Sequence, residues 1–379
     1  MKPGRAAGAI GNFLRSWFAP ARQPSFPMWF PCRLAAAVLC FPTATAAAAE
    51  ITPRVITEPV PHDSDDPAIW INPADPLASL VIGTDKDSDG GLYAFNLDGK
   101  IVASVKGLKR PNNVDVLSGF MLGGKPVAIA VLTEREMNRL RVFSLPDLKP
   151  LDDGTLEVFT GETERAPMGI ALYQRPADQA VFAIVGRKGG PTEGYLWQYR
   201  LMDDGQGKVG ITLARKFGKF SGDKEIEAIA VDAGTGSVYY SDERHGIREY
   251  PADPDAAAAN VELSCFGTDG FTKDREGISI YPVNGGGYVL VSDQEASAFR
   301  MFLRDGGEGG AKHAFVKSVT VAARDSDGTE ATAVPLGPKF PSGMLVAMST
   351  DRTFHFYSWD DIAGIDLLRV PHENAMAPK

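Results

Sequence analysis

The sequence predicts an all-β chain, a six-bladed β-propeller of four-stranded antiparallel blades around a central channel. Three observations carry that prediction. The first is a motif met six times. Asp65-Asp66-Pro67-Ala68-Ile69-Trp70 runs two carboxylates into a short apolar strand. Asn113-Val114-Asp115-Val116, Met168-Gly169-Ile170-Ala171-Leu172, Glu227-Ala228-Ile229-Ala230-Val231, Glu276-Gly277-Ile278-Ser279-Ile280 and Glu330-Ala331-Thr332-Ala333-Val334 share the design. Counted from Asp66 through Asn113, Met168, Glu227, Glu276 and Glu330, the steps are 47, 55, 59, 49 and 54 residues, the self-similarity of a repeat architecture. The second is a hairpin that interleaves strictly with these starts: an apolar strand, a polar turn, then a strand with alternate aromatics. The third is texture: 40 Gly and 27 Pro punctuate short β-type runs, and no long helical period appears.

Taken in order, residues 1–49 read as a targeting leader. Lys2, Arg5, Arg15, Arg22 and Arg33 precede the first acid, Glu50, and an apolar run at 34–41 leads into small residues at 44–49. This is the layout of a secretory signal, with Met28 an alternative start. The apolar run is far shorter than the roughly 20 residues a membrane span needs. Bulky Leu39 argues against lipidation at Cys40. The expectation is therefore a periplasmic or secreted protein with no membrane span. Losing the leader removes five positive charges and no negative one, which takes the net charge from −9 to about −14. Cys265 then remains alone, so no internal disulfide can form, and it reads as a small apolar side chain. So acidic a chain argues against nucleic acid as partner, since phosphate backbones require basic patches. It suits hard cations, which take oxygen ligands.

Residues 50–379 are expected to form one domain and a monomer. Ile51 to Val60 precedes the first unit and is expected to complete the last blade. The hairpins follow in register: Val81-Ile82-Gly83-Thr84-Asp85-Lys86 leads to Leu92-Tyr93-Ala94-Phe95, and Ala128-Ile129-Ala130-Val131 to Leu140-Arg141-Val142-Phe143. Val181-Phe182-Ala183-Ile184 leads to Tyr195-Leu196-Trp197, Val238-Tyr239-Tyr240 to Ile247-Arg248-Glu249-Tyr250, Tyr288-Val289-Leu290 to Phe299-Arg300-Met301-Phe302, and Met344-Leu345-Val346 to Phe354-His355-Phe356-Tyr357. A weaker fourth strand, such as Val102-Ala103-Ser104-Val105, ends each unit. Six units of about 50 residues with four strands each match propeller arithmetic, and radial closure protects sheet edges. The steps are too long for a β-helix coil, and a sandwich would not repeat internally.

In a propeller the first strands line the channel, so equivalent strand starts gather at one mouth. The repeat therefore places Asp66, Asn113, Met168, Glu227, Glu276 and Glu330 around one opening, with Asp65, Asp115 and Asp274 beside them. Turns after the second strands add Lys86, Arg135, Arg187, Lys188, Glu243, Asp293 and Gln294. Singly, each acid reads as a strand cap or surface charge. Gathered, they repel one another and raise each other's pKa, which a divalent cation relieves. His62, His245, His313, His355 and His372 are scattered, so no zinc pattern exists. Lys86, Arg135 and Lys188 suit an anionic ligand such as phosphate. Metal with phosphate-holding cations is the constellation of a phosphoryl hydrolase. Asp85-Lys86-Asp87-Ser88-Asp89-Gly90 opens like a calcium loop, but Asn96 stands at its twelfth position and strands flank it, so it reads as a hairpin turn.

Asp65-Asp66-Pro67-Ala68-Ile69-Trp70 together with Asn112-Asn113-Val114-Asp115-Val116 resembles the β-propeller phytases. Glu227-Ala228, Asp274-Arg275-Glu276-Gly277 and Ser292-Asp293-Gln294 extend the resemblance over residues 55 to 360. It implies hydrolysis of inositol hexakisphosphate, with several Ca2+ ions at the channel top that bridge substrate phosphates and activate water. By that resemblance Asp65, Asp66, Glu227, Glu243, Asp274 and Glu276 are calcium-site carboxylates, with Asp115 and Glu330 added from the repeat. Asn113 and Gln294 are substrate-side amides, and Lys86, Arg135 and Lys188 hold phosphates. Asp65, Asp66, Glu227, Lys86 and Arg135 are the expected catalytic set. The chain departs from the family at Asp87 (usually lysine), Met168 (usually tyrosine), Gly189 (usually glutamate) and Gly328, where an acid is missing that Asp325 or Asp327 could replace. Two other readings stay open: another calcium-bearing propeller hydrolase such as a lactonase or phosphotriesterase, and a binding or scaffold module that kept the fold and lost the chemistry.

Overall fold

Six antiparallel sheets follow one another along the chain in the computed structural model, which describes residues 50–284, 286–305 and 312–371. Their innermost strands are Ser64–Trp70, Pro111–Leu122, Pro167–Gln174, Ile229–Asp232, Ile278–Val283 and Thr329–Thr332. Each sheet then runs outward in chain order. The exception is the last, whose outermost strand is Val55–Ile56, paired with Thr353–Ser358. The expected closure by the N-terminal segment is therefore present, and it hydrogen-bonds both ends of the propeller into one ring. In the second sheet three strands are continuous, and isolated bridges at Glu157 and Pro150 take the outer position. The leader lies outside the described residues. Among the described residues no helix is long and apolar enough to cross a membrane.

Period-two strands with apolar residues on both faces need cover on both sides, and adjacent blades supply it. Ala68, Trp70 and Ile82 of blade 1 pack with Val114, Ala130 and Leu132 of blade 2. Ile129 and Val131 pack in turn with Ile170 and Val185 of blade 3. The core is thus a set of inter-blade layers, and truncating a buried Leu or Ile to Ala there costs about 2–5 kcal/mol.

Hydroxyls and carboxylates tie the blades at the end that carries the site. Thr133 donates to the Met168 carbonyl (2.6 Å), Ser241 to that of Arg275 (2.5 Å), Ser292 to that of Ser326 (2.6 Å), and Ser64 to that of Ser349 across the closure (2.8 Å). The carboxylates of Asp66 and Asp115 accept from the next blade's strand, at Val114 N (3.0 Å) and Leu172 N (2.6 Å). A further acid ends the second strand of four blades and pins the loop ahead of its own inner strand. Asp85 accepts from His62 N and Asp63 N, Glu134 from Lys109 N, Asp242 from Ser221 N and Asp293 from Thr272 N. Buried backbone donors left unpaired would cost about 1–3 kcal/mol each, so these acids fix the loops that deliver the site residues.

Candidate active site

The strand pairing revises which residues are equivalent. Pro67, Val114, Ile170, Ile229, Ile278 and Thr329 face the corresponding residues of their second strands. Two residues before each stand Asp65, Asn112, Met168, Glu227, Glu276 and Asp327. The repeat therefore runs through Asp65, Asn112 and Asp327 where the sequence pattern used Asp66, Asn113 and Glu330. In blades 1 and 2 the cause is an extra residue at the strand start, where pairing slips between Ser64 and Pro67 and between Pro111 and Val114. Blade 3 slips likewise between Pro167 and Ile170 but keeps Met168 in place, and in blade 6 the pairing is regular and Glu330 lies inside the strand, opposite Val346. A β-bulge of this kind breaks the strict alternation of sides.

Lys86, Arg110, Arg135, Met168, Lys188, Lys224, Glu225, Glu227, Glu276, Gln294 and Asp327 line a mouth cavity of about 200 Å³. Its centre is a knot of charges. The Lys86 ammonium contacts Asp65 and lies 3.2 Å from Asp327, which also accepts from Gln294 at 2.5 Å. Asn112 donates to Asp65 (3.1 Å) and to Glu227. The Asn113 amide lies 3.2 Å from the Met168 carbonyl and 3.3 Å from Glu227 Oε1, where its NH2 end satisfies both. On the far side Lys188 pairs with Glu225 (2.5 Å). Lys224 reaches Glu243 (2.9 Å), Asp274 (3.0 Å) and Glu276 (2.5 Å), and Arg244 braces Asp274 at 2.9 Å. Arg275 holds the Glu243 carbonyl at 2.9 Å.

Burial dominates the electrostatics. It holds Asp65 well above the ordinary carboxylate range, against Lys86 and with Glu227 adding to it. It raises Glu227 against the pull of Lys86. Burial and then the Glu276 charge push Glu243 up to about 10, and burial and then Glu227 push Glu276 up to about 8. Burial alone would lower the Lys86 ammonium, but Asp65, Glu227 and Asp327 outweigh it and hold it raised. Asp274 runs the other way: burial is outweighed by its bonds to Arg244 and Lys224, and its carboxyl is lowered. Acids that resist ionising together are a poised site for added positive charge.

Among the described residues two carboxylate sets are spaced to hold an ion, Glu225 with Glu227 and Glu243, and Glu243 with Asp274 and Glu276; within each, one oxygen per residue lies within 4.8 Å of the others. Every donor is an oxygen. Buried Glu243 Oε1 accepts no hydrogen bond. Oxygen-only donors with an open buried carboxylate fit a hard divalent cation.

The remaining expected residues fall elsewhere. Asp115 and Glu330 line the channel, a cavity of about 610 Å³ that Asp66 and Asn113 also border. Glu330 bonds its own strand at Ala331 N (2.8 Å). Arg187 turns away from the mouth into a box of Phe159, Tyr195 and Trp197, with its guanidinium carbon 4.8 Å from the Phe159 centroid. Asp293 is the loop anchor described above. The turn at Asp85–Gly90 is a hairpin, with Asp87 Oδ1 accepting from Asp89 N (2.9 Å). Asp327 supplies the acid that Gly328 lacks. Arg110, Asn112, Lys224 and Glu225 were not singled out from sequence. Asn112 sat inside the quoted motif, hidden by the bulge, and the spacing of Glu225 two before Glu227 was the available signal for that residue.

Carboxylates suited to a hard cation and side chains suited to phosphate, gathered at one propeller mouth, define a phosphoryl-handling enzyme. The phytase family model matches residues 32–364, and the chain belongs to that family of phosphoric monoester hydrolases. It is 29% identical to the 3-phytase of Bacillus subtilis (strain 168) over 340 residues, covering 83% of this chain and 85% of that one. It is similar in shape to the β-propeller domain of Myceliophteria thermophila Cps50 (Swd1), with a TM-score of 0.45, 10% identity, and coverage of 77% of this chain and 82% of that one. For the WD40 β-propeller domain of Doa1 the TM-score is 0.45, identity 12%, and coverage 82% and 97%.

Proposed function

We propose that this chain is an exported, calcium-dependent phosphomonoesterase that hydrolyses inositol hexakisphosphate. The observation that carries the reading is the convergence of Lys86, Arg110, Arg135 and Lys188 with Glu225, Glu227 and Glu276 on one mouth. The 3-phytase name of the Bacillus subtilis relative supports the substrate. The basic leader followed by an apolar run and small residues supports export.

Asp65, Glu227, Glu243, Asp274 and Glu276 would hold the ions, with Glu225 and Asp327 added by the structure. A divalent cation bound there supplies charge neutralisation for the ester and lowers the pKa of a coordinated water. The chain itself does the rest. Arg135, Arg110 and Lys188 orient phosphate oxygens from the rim. Lys86, pinned between Asp65 and Asp327, sets a fixed positive charge at the centre of the mouth, and Asn112 holds Asp65 and Glu227 in mutual register. Gln294 offers an amide to the ligand side, while Asn113 borders the channel and commits its amide to Met168 and Glu227. Asp66 stands one step lower, where it braces the next blade and shapes the floor.

The test is phosphate release from inositol hexakisphosphate by the purified protein, with calcium and with chelator. Release that requires calcium is expected. No release in either condition would overturn the enzymatic reading and favour the binding module. Amino-terminal sequencing of the protein from a periplasmic or medium fraction should begin near residue 50; an intact leader there would overturn cleavage, and absence of the protein from both fractions would overturn export.

A further inference from the structure

Lys224 places its ammonium among Glu243, Asp274 and Glu276, at 2.9, 3.0 and 2.5 Å. These are the three carboxylates of one of the two ion-spaced sets. We propose that Lys224 is a tethered resident cation that occupies this site and that a divalent ion must displace.

Four features of the geometry lead there. The three acids are 0%, 2% and 4% exposed at their side chains, while that of Lys224 is 27% exposed. The acids are therefore fixed in the wall, and the lysine reaches in from the rim on a flexible stem. One ammonium cannot satisfy the set: Glu243 Oε1, fully buried, still accepts no hydrogen bond. A calcium ion takes six to eight oxygens and would engage that atom, whereas an ammonium has three hydrogens to give. Arg244 and Lys273 already brace Asp274 from the outside, so the set stays in position when Lys224 withdraws. Finally, Lys224 lies in the loop that also carries Glu225 of the other ion-spaced set. Removing the ammonium therefore changes the charge beside both sets, since Lys224 and Glu225 are neighbours in one loop.

This rests on the proposed cation requirement of the mouth, and it does not depend on which phosphate ester is cleaved. The test is calorimetric titration of calcium into the full-length protein without substrate, comparing the parent with Lys224→Met, Lys224→Arg and Lys224→Met combined with Glu276→Gln. Lys224→Met should bind calcium at least tenfold more tightly at one site, and the added Glu276→Gln should abolish that gain. Lys224→Arg, a stronger partner for carboxylates, should bind several-fold more weakly than the parent. Parent-like affinity in a folded Lys224→Met overturns the proposal. If Lys224→Met folds only when calcium is present, shown by a cooperative melt that chelator removes, the resident-cation role is supported. If it folds in neither condition, Lys224→Arg carries the test, and unchanged affinity there overturns it. Phosphate release by the parent is measured separately. Calcium-dependent release without tighter binding in Lys224→Met sinks this inference alone, and tighter binding without release sinks the enzymatic reading alone.

Discussion

Gly328 and Asp66 meet so closely where the last blade abuts the first that a Cβ on Gly328 would lie 2.5 Å from both the Asp66 Cα and Asp66 Oδ1. The same crowding recurs at Gly277, where a Cβ would lie 2.7 Å from Thr329 Cγ2 and 2.9 Å from the Asp327 carbonyl oxygen. The acid missing at 328 is thus a steric requirement of closure in this chain, and Asp327 one residue earlier supplies the charge. Gly328→Ala should destabilise the protein by about 1–3 kcal/mol through overpacking, and Gly328→Asp by more, without improving phosphate release. Urea melts of the two variants check this. A neutral Gly328→Asp variant with raised turnover would show that the acid belongs at that position.

The architecture was legible because burial on both faces of each strand writes itself into composition and spacing: Ile129, Val131, Ile170 and Val185 each pack between blades. Even the closure by Val55–Ile56 followed from an orphan apolar segment ahead of the first unit. The site was legible only to within a residue. A bulge leaves no mark in the hydrophobic pattern, so the Asp65-Asp66 and Asn112-Asn113 pairs offered two registers and nothing local chose between them. Glu330 sits at an apolar-strand start like its counterparts, yet its carboxylate faces the channel. Lys224 lies in an irregular loop, where no period could place its ammonium beside Glu276. Arg187 has the charge of a ligand residue, and only its aromatic surroundings show that it is structural.

The revised register separates neighbours that a motif alone treats as equal. Lys86→Ala and Asp65→Asn should each lower phosphate release about 100-fold or more, the scale for losing a preorganised electrostatic group at a reacting centre. Asp66→Asn keeps an oxygen for Val114 N and stands away from the reacting centre, so it should lower the rate less than tenfold. Steady-state rates beside denaturant midpoints distinguish the two. Equal loss of rate in Asp65→Asn and Asp66→Asn would restore Asp66 to the mouth.

Cation binding to the native mouth alone must stabilise the fold by mass action. A free concentration one hundred times the dissociation constant adds about 2.7 kcal/mol per site. Calcium should therefore raise the melting temperature of the parent by several degrees, and chelator should reverse it. Glu243→Gln, which removes the one carboxylate common to both ion-spaced sets, should lose most of that response. A full calcium shift in Glu243→Gln would place the ions elsewhere.

The channel acids give stability a pH dependence whose sign can be worked out. Burial, with Asp115 nearby, pushes Glu330 up to about 8, and burial pushes Asp115 up to about 6. Between its ordinary range near 4.5 and its folded value near 8, Glu330 keeps in the folded state a proton that the unfolded chain has released. The unfolded state then binds fewer protons, so stability falls as pH rises through that window and levels off above it. Glu330→Gln keeps an oxygen for Ala331 N and removes the titration. In chelator, the variant should match the parent near pH 4.5 and exceed it at pH 8 by about 1–2 kcal/mol, since channel water screens part of the penalty. Urea midpoints measured across that range decide it: a parent that gains stability from pH 5 to pH 8 while Glu330→Gln does not would reverse the sign and place an ionised Glu330, paired with a cation, in the channel.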